Sequence, residues 1–351
     1  MTFSPIKTAV VGYGFSAKTF HIPFIRSLEA FEFVAVSTSK AEVAQDWPNV
    51  QHFTDAIAML TESDAELVII TAPNSEHFPL AKLALKKGKH VIIEKPFVTN
   101  VQDGQALIDL AKRNQCLLSV YHNRRWDGDF LTVKSLIEEG RVGDVKHFES
   151  HFDRFRPEVR VRWREQATDG GGILFDLGSH LIDQALELFG LPEAISAHCK
   201  MLRPSSTTVD YFNVTLHYPN RLAVLHGDMF SAGPNHRFTV KGTQGSYEKY
   251  GLDPQESQLI SGMTPEDPSW GQESEAHFGR FYHGEGSERI DTFSGQYQTY
   301  FEQMASAIRH NTPVPVTPQQ ALVTIRLIEL AMESSRLGQT LALEGEWEWN
   351  Q

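Results

Sequence analysis

A glycine-rich segment lies between a predicted strand and a predicted helix near the start of the chain. Its sequence is GYGFSA, residues 12–17, and it follows an apolar run rich in β-branched side chains. In this context Gly12 permits a tight turn, Gly14 lets a pyrophosphate approach the backbone, and the helix start offers free N–H groups. We expect a dinucleotide-binding turn that includes Phe15; the alternative is a plain glycine turn. Pro23 should interrupt or end the helix that follows.

Short apolar strands recur over residues 1–122 and alternate with segments of helical periodicity. The predicted strands are residues 8–11, 33–36, 67–71, 91–93 and 117–120. Helices are predicted over residues 76–87, capped by Asn74, and over residues 101–114, capped by Asn100. This alternation predicts an α/β fold: a Rossmann domain with a doubly wound parallel sheet over residues 1–122.

The second half of the chain has a different pattern. Its predicted strands are residues 146–154, 194–202, 209–218, 221–229 and 238–241. These longer alternating segments predict an α+β domain with an open, largely antiparallel sheet over residues 123–351. Residues 251–293, rich in glycine, proline and polar side chains, should form a long surface excursion. Thr317 and Gln320 form a capping box for a last helix over about 318–337. This helix could pack back on the first domain.

The end of the second predicted strand indicates which nicotinamide cofactor the turn binds. The strand runs into Ser37, Thr38, Ser39 and Lys40, and none of the four carries a carboxylate. A protein that binds NAD usually has Asp or Glu here, where the carboxylate hydrogen-bonds the ribose 2′-hydroxyl. Three hydroxyls and an ammonium group can instead bind a 2′-phosphate. We therefore favour NADP over NAD, and a polar loop without selectivity is the alternative.

The fourth predicted strand delivers a lysine to the edge where ligands bind. Residues 91–93 run into Glu94, Lys95 and Pro96. In a doubly wound sheet ligands lie beyond the carboxyl ends of the strands, so Lys95 should reach the mouth of the cofactor cleft. The alternative is a solvated lysine at a strand end. The preceding strand brings three further candidates to the same edge: Pro73, Asn74 and His77.

A polar stripe on an apolar helix supplies the second part of the candidate site. Residues 174–189 predict a helix, on which Asp176 and His180 lie four apart and share one face. Asp183 and Glu187 continue the stripe. Asp176 can orient His180, and the imidazole can then exchange a proton with a substrate. The alternatives are a solvent-facing stripe or a core histidine satisfied by the aspartate.

These side chains suit the interconversion of an alcohol and a ketone. His180 would be the base, Asp176 its orienting group, and Lys95 the cation that contacts the oxygen. The reverse assignment, in which Lys95 exchanges the proton, stays open. We predict no metal, because HExxH and CxxC patterns are absent and His147 and His151, four apart in a strand, should not converge.

Four motifs, in this order and spacing, resemble the Gfo/Idh/MocA oxidoreductases over nearly the whole chain. They are the glycine turn, Pro73-Asn74 with His77, Glu94-Lys95-Pro96, and Asp176 with His180. The resemblance implies a Rossmann domain and an open sheet that forms the substrate wall and often an oligomer interface. It implies that Lys95, Asp176 and His180 match the catalytic triad. Cofactor-contacting segments would include Gly12, Gly14, Ser37, Thr38, Asn74, His77 and Glu94. We expect a homo-oligomer, a dimer or tetramer.

A narrower similarity concerns the substrate. Residues 121–127, 152–157 and 163–165 are similar to the branch of this family that contains NADP-dependent scyllo-inositol dehydrogenase. This implies the interconversion of scyllo-inositol and its 2-keto form, with Asn123 near the cofactor. The candidate substrate contacts are Arg124, Trp126, Asp153, Arg156, Trp163 and Tyr297, each of which also has an ordinary structural explanation. The alternatives are a dehydrogenase or reductase of another aldose or ketosugar, and a sensor without catalysis.

Composition excludes several other classes of protein. The formal net charge is −12 without a basic stripe, which argues against a nucleic-acid partner. The apolar runs are too short to span a membrane. The two cysteines, Cys116 and Cys199, form no CxxC pair and favour a reducing compartment, the cytoplasm. The first residues carry no secretory signal pattern, so we expect a cytoplasmic protein that acts on a small polyol or sugar.

Overall fold

The protein forms two compact units, each with its own sheet. The structure is a computed structural model that describes residues 4–160, 165 and 170–349. The first unit takes its described residues from Met1–Asn123, Gln255–Trp270 and Gln296–Leu322, and the second from Arg124–Pro254, Gly271–Gly295 and Val323–Gln351. A single cut after residue 122 does not describe this division. We therefore propose a first domain that is discontinuous in sequence.

The strands fall into a parallel and a mixed sheet. In chain order they are β1 (Ile6–Val11), β2 (Phe31–Ser37), β3 (Gln51–Phe53), β4 (Leu67–Ile70), β5 (His90–Glu94), β6 (Leu118–Tyr121), β7 (Val145–His151), β8 (Ala194–Lys200), β9 (Tyr211–Tyr218), β10 (Arg221–Gly227), β11 (His236–Gly242), β12 (Ser246–Tyr250), β13 (Gly279–His283), β14 (Gly286–Ile290) and β15 (Leu341–Ala342). Strands β1 to β6 belong to the first unit and the others to the second.

The helices follow the same chain order. They are α1 (Ile22–Ser27), α2 (Val43–Asp46), α3 (Ala56–Glu62), α4 (Asn74–Lys86), α5 (Val101–Arg113), α6 (Gly128–Glu138), α7 (Ser179–Phe189), α8 (Gln255–Ile260), α9 (Gln298–His310) and α10 (Pro318–Leu337). Two π-helical segments, Ala17–His21 and Leu174–Gly178, directly precede α1 and α7. Within the described residues, no helix has both the length and the apolar character that crossing a membrane requires.

The first sheet confirms the predicted doubly wound fold. Its order is β3-β2-β1-β4-β5-β6, and every neighbouring pair is parallel. All four residues of β4 are buried, as expected for a strand covered by helices on both faces. The strand order reverses between β1 and β4. Ligands of doubly wound folds bind at this switch point.

Two helix starts in the first unit differ from the predictions. Asn74 is the first residue of α4 and not its cap, because Pro73 turns the chain directly into the helix. Pro23 does not end a helix. The π-helical segment closes at His21, and Pro23 then lies in the first turn of α1, where no N–H donor is needed. Asn100 does cap α5, since its side chain accepts a hydrogen bond from Asp103 N at 2.9 Å.

The second sheet confirms the predicted open and largely antiparallel architecture. Its order is β14-β13-β12-β11-β7-β10-β9-β8-β15. Among the described strands of this second sheet, only the pair β7–β10 is parallel. The guanidinium of Arg237 on β11 bonds Ser150 on β7 and Gln184 on α7, each at 2.8 Å. This face therefore packs on α7. Because side chains alternate along a strand, His151 and His236 point to the other face.

Residues 251–293, predicted as a long surface excursion, are mostly exposed but contain regular structure that the sequence pattern did not indicate. The segment contains α8 and the β13–β14 hairpin, which extends the edge of the second sheet. The hairpin is mostly exposed and so lacks an apolar alternation in its sequence.

The capping box of α10 is confirmed, with Gln320 N donating to Thr317 Oγ1 at 3.2 Å and Thr317 N donating to Gln320 Oε1 at 3.3 Å.

Candidate functional site

The glycine turn lies at the switch point of the first sheet. Gly12 has a φ of +94°, and a Cβ built there would lie 2.7 Å from Thr71 Oγ1, so only glycine fits. Its N–H donates to the carbonyl of Ser37 at 2.9 Å, which joins the ends of β1 and β2. A Cβ on Gly14 would meet nothing within 4 Å among the described atoms, so this backbone is open to a ligand. The exposed ring of Phe15 packs edge-on against Phe20 at 5.8 Å.

A buried carboxylate holds this turn to the end of β5. Glu94 Oε1 accepts a hydrogen bond from the Ser16 hydroxyl and lies 2.8 Å from His21 Nε2. Its other oxygen accepts from the backbone N–H of Lys95 at 3.0 Å. Burial alone would raise the pKa of Glu94, but the hydrogen bonds from His21 and Ser16 and the charge of Lys95 lower it to about 2. Glu94 is therefore an anion that fixes the segment carrying Lys95.

Sequence reasoning missed Ser16 and His21. They lie 78 and 73 residues from Glu94, and no local periodicity connects them. His21 is fully buried and its ring lies 4.4 Å from that of Tyr121. The available signal was a histidine inside the apolar segment that follows the turn. Such a side chain needs a polar partner when it is buried.

A second histidine holds the other side of the lysine segment. His77 is 1% exposed, with Nδ1 2.8 Å from the carbonyl of Pro96 and Nε2 3.0 Å from the carbonyl of Ala72. Burial lowers the pKa of His77. Its contacts join the ends of β4 and β5, so it acts as a positioning residue. Lys95 itself is half-buried, and its bond to Pro96 is cis.

The segment expected to read the ribose is only partly accessible. Ser37 is 4% exposed, whereas Ser39 and Lys40 are exposed. Thr38 Oγ1 accepts a hydrogen bond from Lys40 N at 3.2 Å. A 2′-phosphate would therefore meet the side chains of Ser39 and Lys40 more readily than that of Ser37.

The second unit carries Asp176 and His180 on an irregular helix start. Residues 174–178 form a π-helical segment, so the predicted continuous α-helix is wrong at this point. Such segments occur frequently at functional sites. The Asp176 side chain is 19% exposed and lies 3.9 Å from Arg154. His180, in the first turn of α7, is 5% exposed.

The rest of the polar stripe is structural. Asp183 makes two bonds to the Arg125 guanidinium, at 2.7 and 2.8 Å, and is 1% exposed. Glu187 lies 3.2 Å from Arg125 and 2.8 Å from Lys134. The stripe therefore does not face solvent at these two positions. It anchors the turn that contains Arg125 to α7.

Two candidate substrate residues of the second unit lie on opposite sides of its sheet. Arg124 is buried over the ring of Phe152, at 4.8 Å, on the side of the sheet that packs on α7. Asp153 follows Phe152 and points to the opposite side of the sheet, where its carboxylate lies 3.3 Å from His151, so it is not part of the proposed substrate site.

The other candidates are buried, make a backbone hydrogen bond, or lie outside the described residues. Tyr297 is fully buried in the first unit, and Asn123 and Trp126 are also buried. Arg156 donates its backbone N–H to Met229. Trp163 lies outside the described residues.

Comparison with known proteins assigns both halves of the chain to one family. The description "Oxidoreductase family, NAD-binding Rossmann fold" of Gfo/Idh/MocA proteins matches residues 6–122. Its companion, "Oxidoreductase family, C-terminal alpha/beta domain", matches residues 134–343.

Individual relatives match over almost their full length. The chain is 43% identical to the uncharacterized oxidoreductase YdgJ of Escherichia coli, covering 96% of this chain and 99% of that protein. It is 39% identical to scyllo-inositol 2-dehydrogenase (NADP(+)) IolW of Bacillus subtilis, covering 97% and 96%.

Solved structures show the same architecture. The yvaA protein of Bacillus subtilis superimposes with a TM-score of 0.94 at 38% identity, covering 98% of this chain and 100% of that one. An oxidoreductase from Bacillus cereus gives 0.89 at 30% identity, covering 97% and 99%. The chain is therefore an enzyme of the Gfo/Idh/MocA family of oxidoreductases, with a nicotinamide-binding Rossmann fold.

Proposed function

We propose that the enzyme transfers a hydride between NADP and a secondary alcohol or ketone of a cyclic polyol, with scyllo-inositol and its 2-keto form as the substrate pair. One observation carries the proposal. Lys95 follows β5 at the cofactor edge of the sheet, between Glu94, which bonds the glycine turn, and Pro96, which His77 holds. An ammonium fixed in this way beside a dinucleotide turn suits a developing alkoxide.

The residues of the turn fit a dinucleotide. The positive φ of Gly12, the contact that excludes any side chain there, and the open backbone at Gly14 form the cradle that a pyrophosphate requires. When bound, the nicotinamide supplies the acceptor for the hydride. The protein residues then have three separate tasks: to hold the alcohol, to receive its proton and to stabilise charge on its oxygen.

We assign the proton to His180 and the charge stabilisation to Lys95. In the oxidation, the C–H bond breaks as hydride while the hydroxyl proton passes to the His180 imidazole. Asp176 holds that ring and stabilises its protonated form. Acid–base catalysis of this kind contributes about 10²–10⁴ in rate. In the reduction, the same proton returns to the oxygen.

Two observations support NADP as the cofactor. The exposed side chains of Ser39 and Lys40 offer a hydroxyl and a cation, and residues 37–40 carry no carboxylate to repel a 2′-phosphate. The name of the 39%-identical relative IolW specifies NADP(+) and scyllo-inositol.

Initial rates with both cofactors test the proposal. Scyllo-inositol, myo-inositol, D-glucose and a sugar acid are each offered with NADP and with NAD. We expect the highest kcat/KM for scyllo-inositol with NADP. Faster oxidation of an aldose would replace the substrate assignment, and NADP binding without turnover of any of these compounds would indicate a sensor.

A further inference from the structure

The face of the second sheet that points away from α7 carries a cluster of histidines and carboxylates. Strand β7 contributes His147, Glu149 and His151 at alternate positions, and Asp153 follows the strand. The neighbouring strands β10 and β11 add His226 and His236. Spacing along β7 alone predicts no convergence of histidines, and the cluster forms only because neighbouring strands add theirs. The proposed hydride transfer uses none of these residues.

Three of these side chains meet around one point. One ligand atom from each of His151, Asp153 and His226 lies within 4.8 Å of the others. His151 Nδ1 is 3.3 Å from Asp153 Oδ2, and His226 Nε2 is 3.5 Å from Asp153 Oδ1. The two imidazole rings are 5.1 Å apart.

These separations are long for hydrogen bonds between charged groups. Such bonds measure about 2.7–2.9 Å from nitrogen to oxygen. Two ligands on one tetrahedral metal ion, each about 2.0–2.1 Å from the metal, lie about 3.4 Å apart. The 3.3 Å contact of His151 and the 3.5 Å contact of His226 reach the two different oxygens of Asp153, and both are longer than a strong charge-assisted bond, so the three side chains leave room for a cation between them.

Burial provides an independent argument for a cation. The Asp153 side chain is 9% exposed, and among the described residues nothing donates a hydrogen bond to its Oδ1 atom, which faces His226. A buried carboxylate oxygen without a donor is costly. The His151 and His226 side chains are 18% and 14% exposed, so the group is enclosed yet within reach of an ion from solvent.

We propose that His151, Asp153 and His226 bind one divalent transition-metal ion of the Zn²⁺ class, with water in the fourth position. Two imidazoles and a carboxylate are donors that Zn²⁺ accepts in a tetrahedral arrangement. The ion would join the end of β7 to β10. This assignment does not depend on the proposed enzymatic activity.

A second trio, Glu149, His151 and His236, shares His151 and is the weaker candidate. The Glu149 side chain is 27% exposed, and His236 Nε2 lies 2.6 Å from Thr239 Oγ1, a much closer contact than the 3.4 Å between Asp228 Oδ2 and His226 Nε2 of the first trio. His151 would bind a second ion only after losing both ring protons. We therefore assign one ion to the more buried trio.

Direct binding of Zn²⁺ to the full chain tests the site. The protein is treated with a chelator, and Zn²⁺ binding is measured by calorimetry, with Co²⁺ absorption as the report on tetrahedral geometry. We expect one ion per chain. His226→Gln and the nearly isosteric Asp153→Asn should each weaken binding by about 100-fold.

Matched variants separate this site from other histidines. His198→Gln removes an exposed histidine of β8 and should leave binding unchanged. Circular dichroism of chelated samples identifies any variant that fails to fold, and Asp153→Asn then carries the test. The proposal is overturned if the wild-type chain binds no stoichiometric Zn²⁺. It is also overturned if binding depends on Glu149 and His236 but not on His226.

Discussion

The two units hold their functional side chains by different means. In the first unit, many contacts that fix the site involve the backbone, since Gly12 N–H donates to the Ser37 carbonyl and the His77 ring contacts two carbonyls, while Glu94 adds side-chain contacts with Ser16 and His21. In the second unit, side-chain ion pairs fix the helix that carries His180, above all the buried pair of Arg125 with Asp183. Because of this difference, substitutions of polar residues in the two units should affect different properties of the protein. Substitution of Lys95 in the first unit should therefore change mainly chemistry, and substitution of Arg125 in the second should change mainly stability.

The largest expected effect is on catalysis in the first unit. Lys95→Ala should lower kcat by about 10²–10⁴-fold, because no ammonium then stabilises the alkoxide. The dissociation constant for NADP, measured by fluorescence titration, should hardly change. Lys87→Ala, at the exposed end of α4, is the control. Lost NADP binding with unchanged turnover of the bound enzyme would contradict this role.

The next effect concerns stability in the second unit. Arg125→Ala leaves the carboxylate of Asp183 buried without its cation, which should lower the free energy of unfolding by about 3–5 kcal/mol. Urea unfolding measures the loss. Arg336→Ala, whose side chain is 70% exposed, should change stability by about 0–1 kcal/mol. Equal losses in the two variants would remove the contrast between buried and exposed pairs.

A smaller effect should appear in the pH dependence of stability. Glu94 has a folded pKa of about 2, below its usual value of about 4.3. Its ionised form therefore stabilises the fold above about pH 4.3, and this contribution is lost as the pH falls toward about 2. The stability difference between wild type and Glu94→Gln should stay level from about pH 7 to about pH 5 and narrow on acidification from there toward about pH 2. A constant difference would contradict the ionised Glu94.

The smallest effect tests cofactor choice. Ser39→Asp places a negative charge on the exposed segment after β2, and should weaken NADP by about 10-fold while NAD changes little. Ser39→Asn is the uncharged control. Equal weakening of both cofactors, in titrations at one salt concentration, would argue against a 2′-phosphate at this segment.

The sequence was sufficient for features that depend on local pattern. Five of the six strands of the first sheet follow from short apolar runs, whereas the short polar edge strand β3 gave no such signal. The caps at Asn100 and Thr317 follow from single polar residues before a helix. The glycine turn was recognisable because its strand and helix are adjacent. These features need no information about distant parts of the chain.

Features that depend on distant contacts could not be predicted in this way. The bonds from Ser16 and His21 to Glu94 join residues far apart in sequence, and the π-helical segments have no distinct composition. The histidine cluster depends on the register of three strands. The direction of Asp153, by contrast, could have been predicted from the sequence. Side chains alternate along the predicted strand 146–154, so Asp153 points to the opposite face from Phe152.

Transfer of deuterium tests the central claim most directly. Scyllo-inositol with deuterium on every ring carbon is incubated with the enzyme and NADP, and the reduced cofactor is analysed by mass spectrometry. The account predicts one deuterium in each NADPH formed, a slower rate than with unlabelled substrate, and almost no labelled product from Lys95→Ala. NADPH without deuterium, or no NADPH from either form of scyllo-inositol, would contradict it.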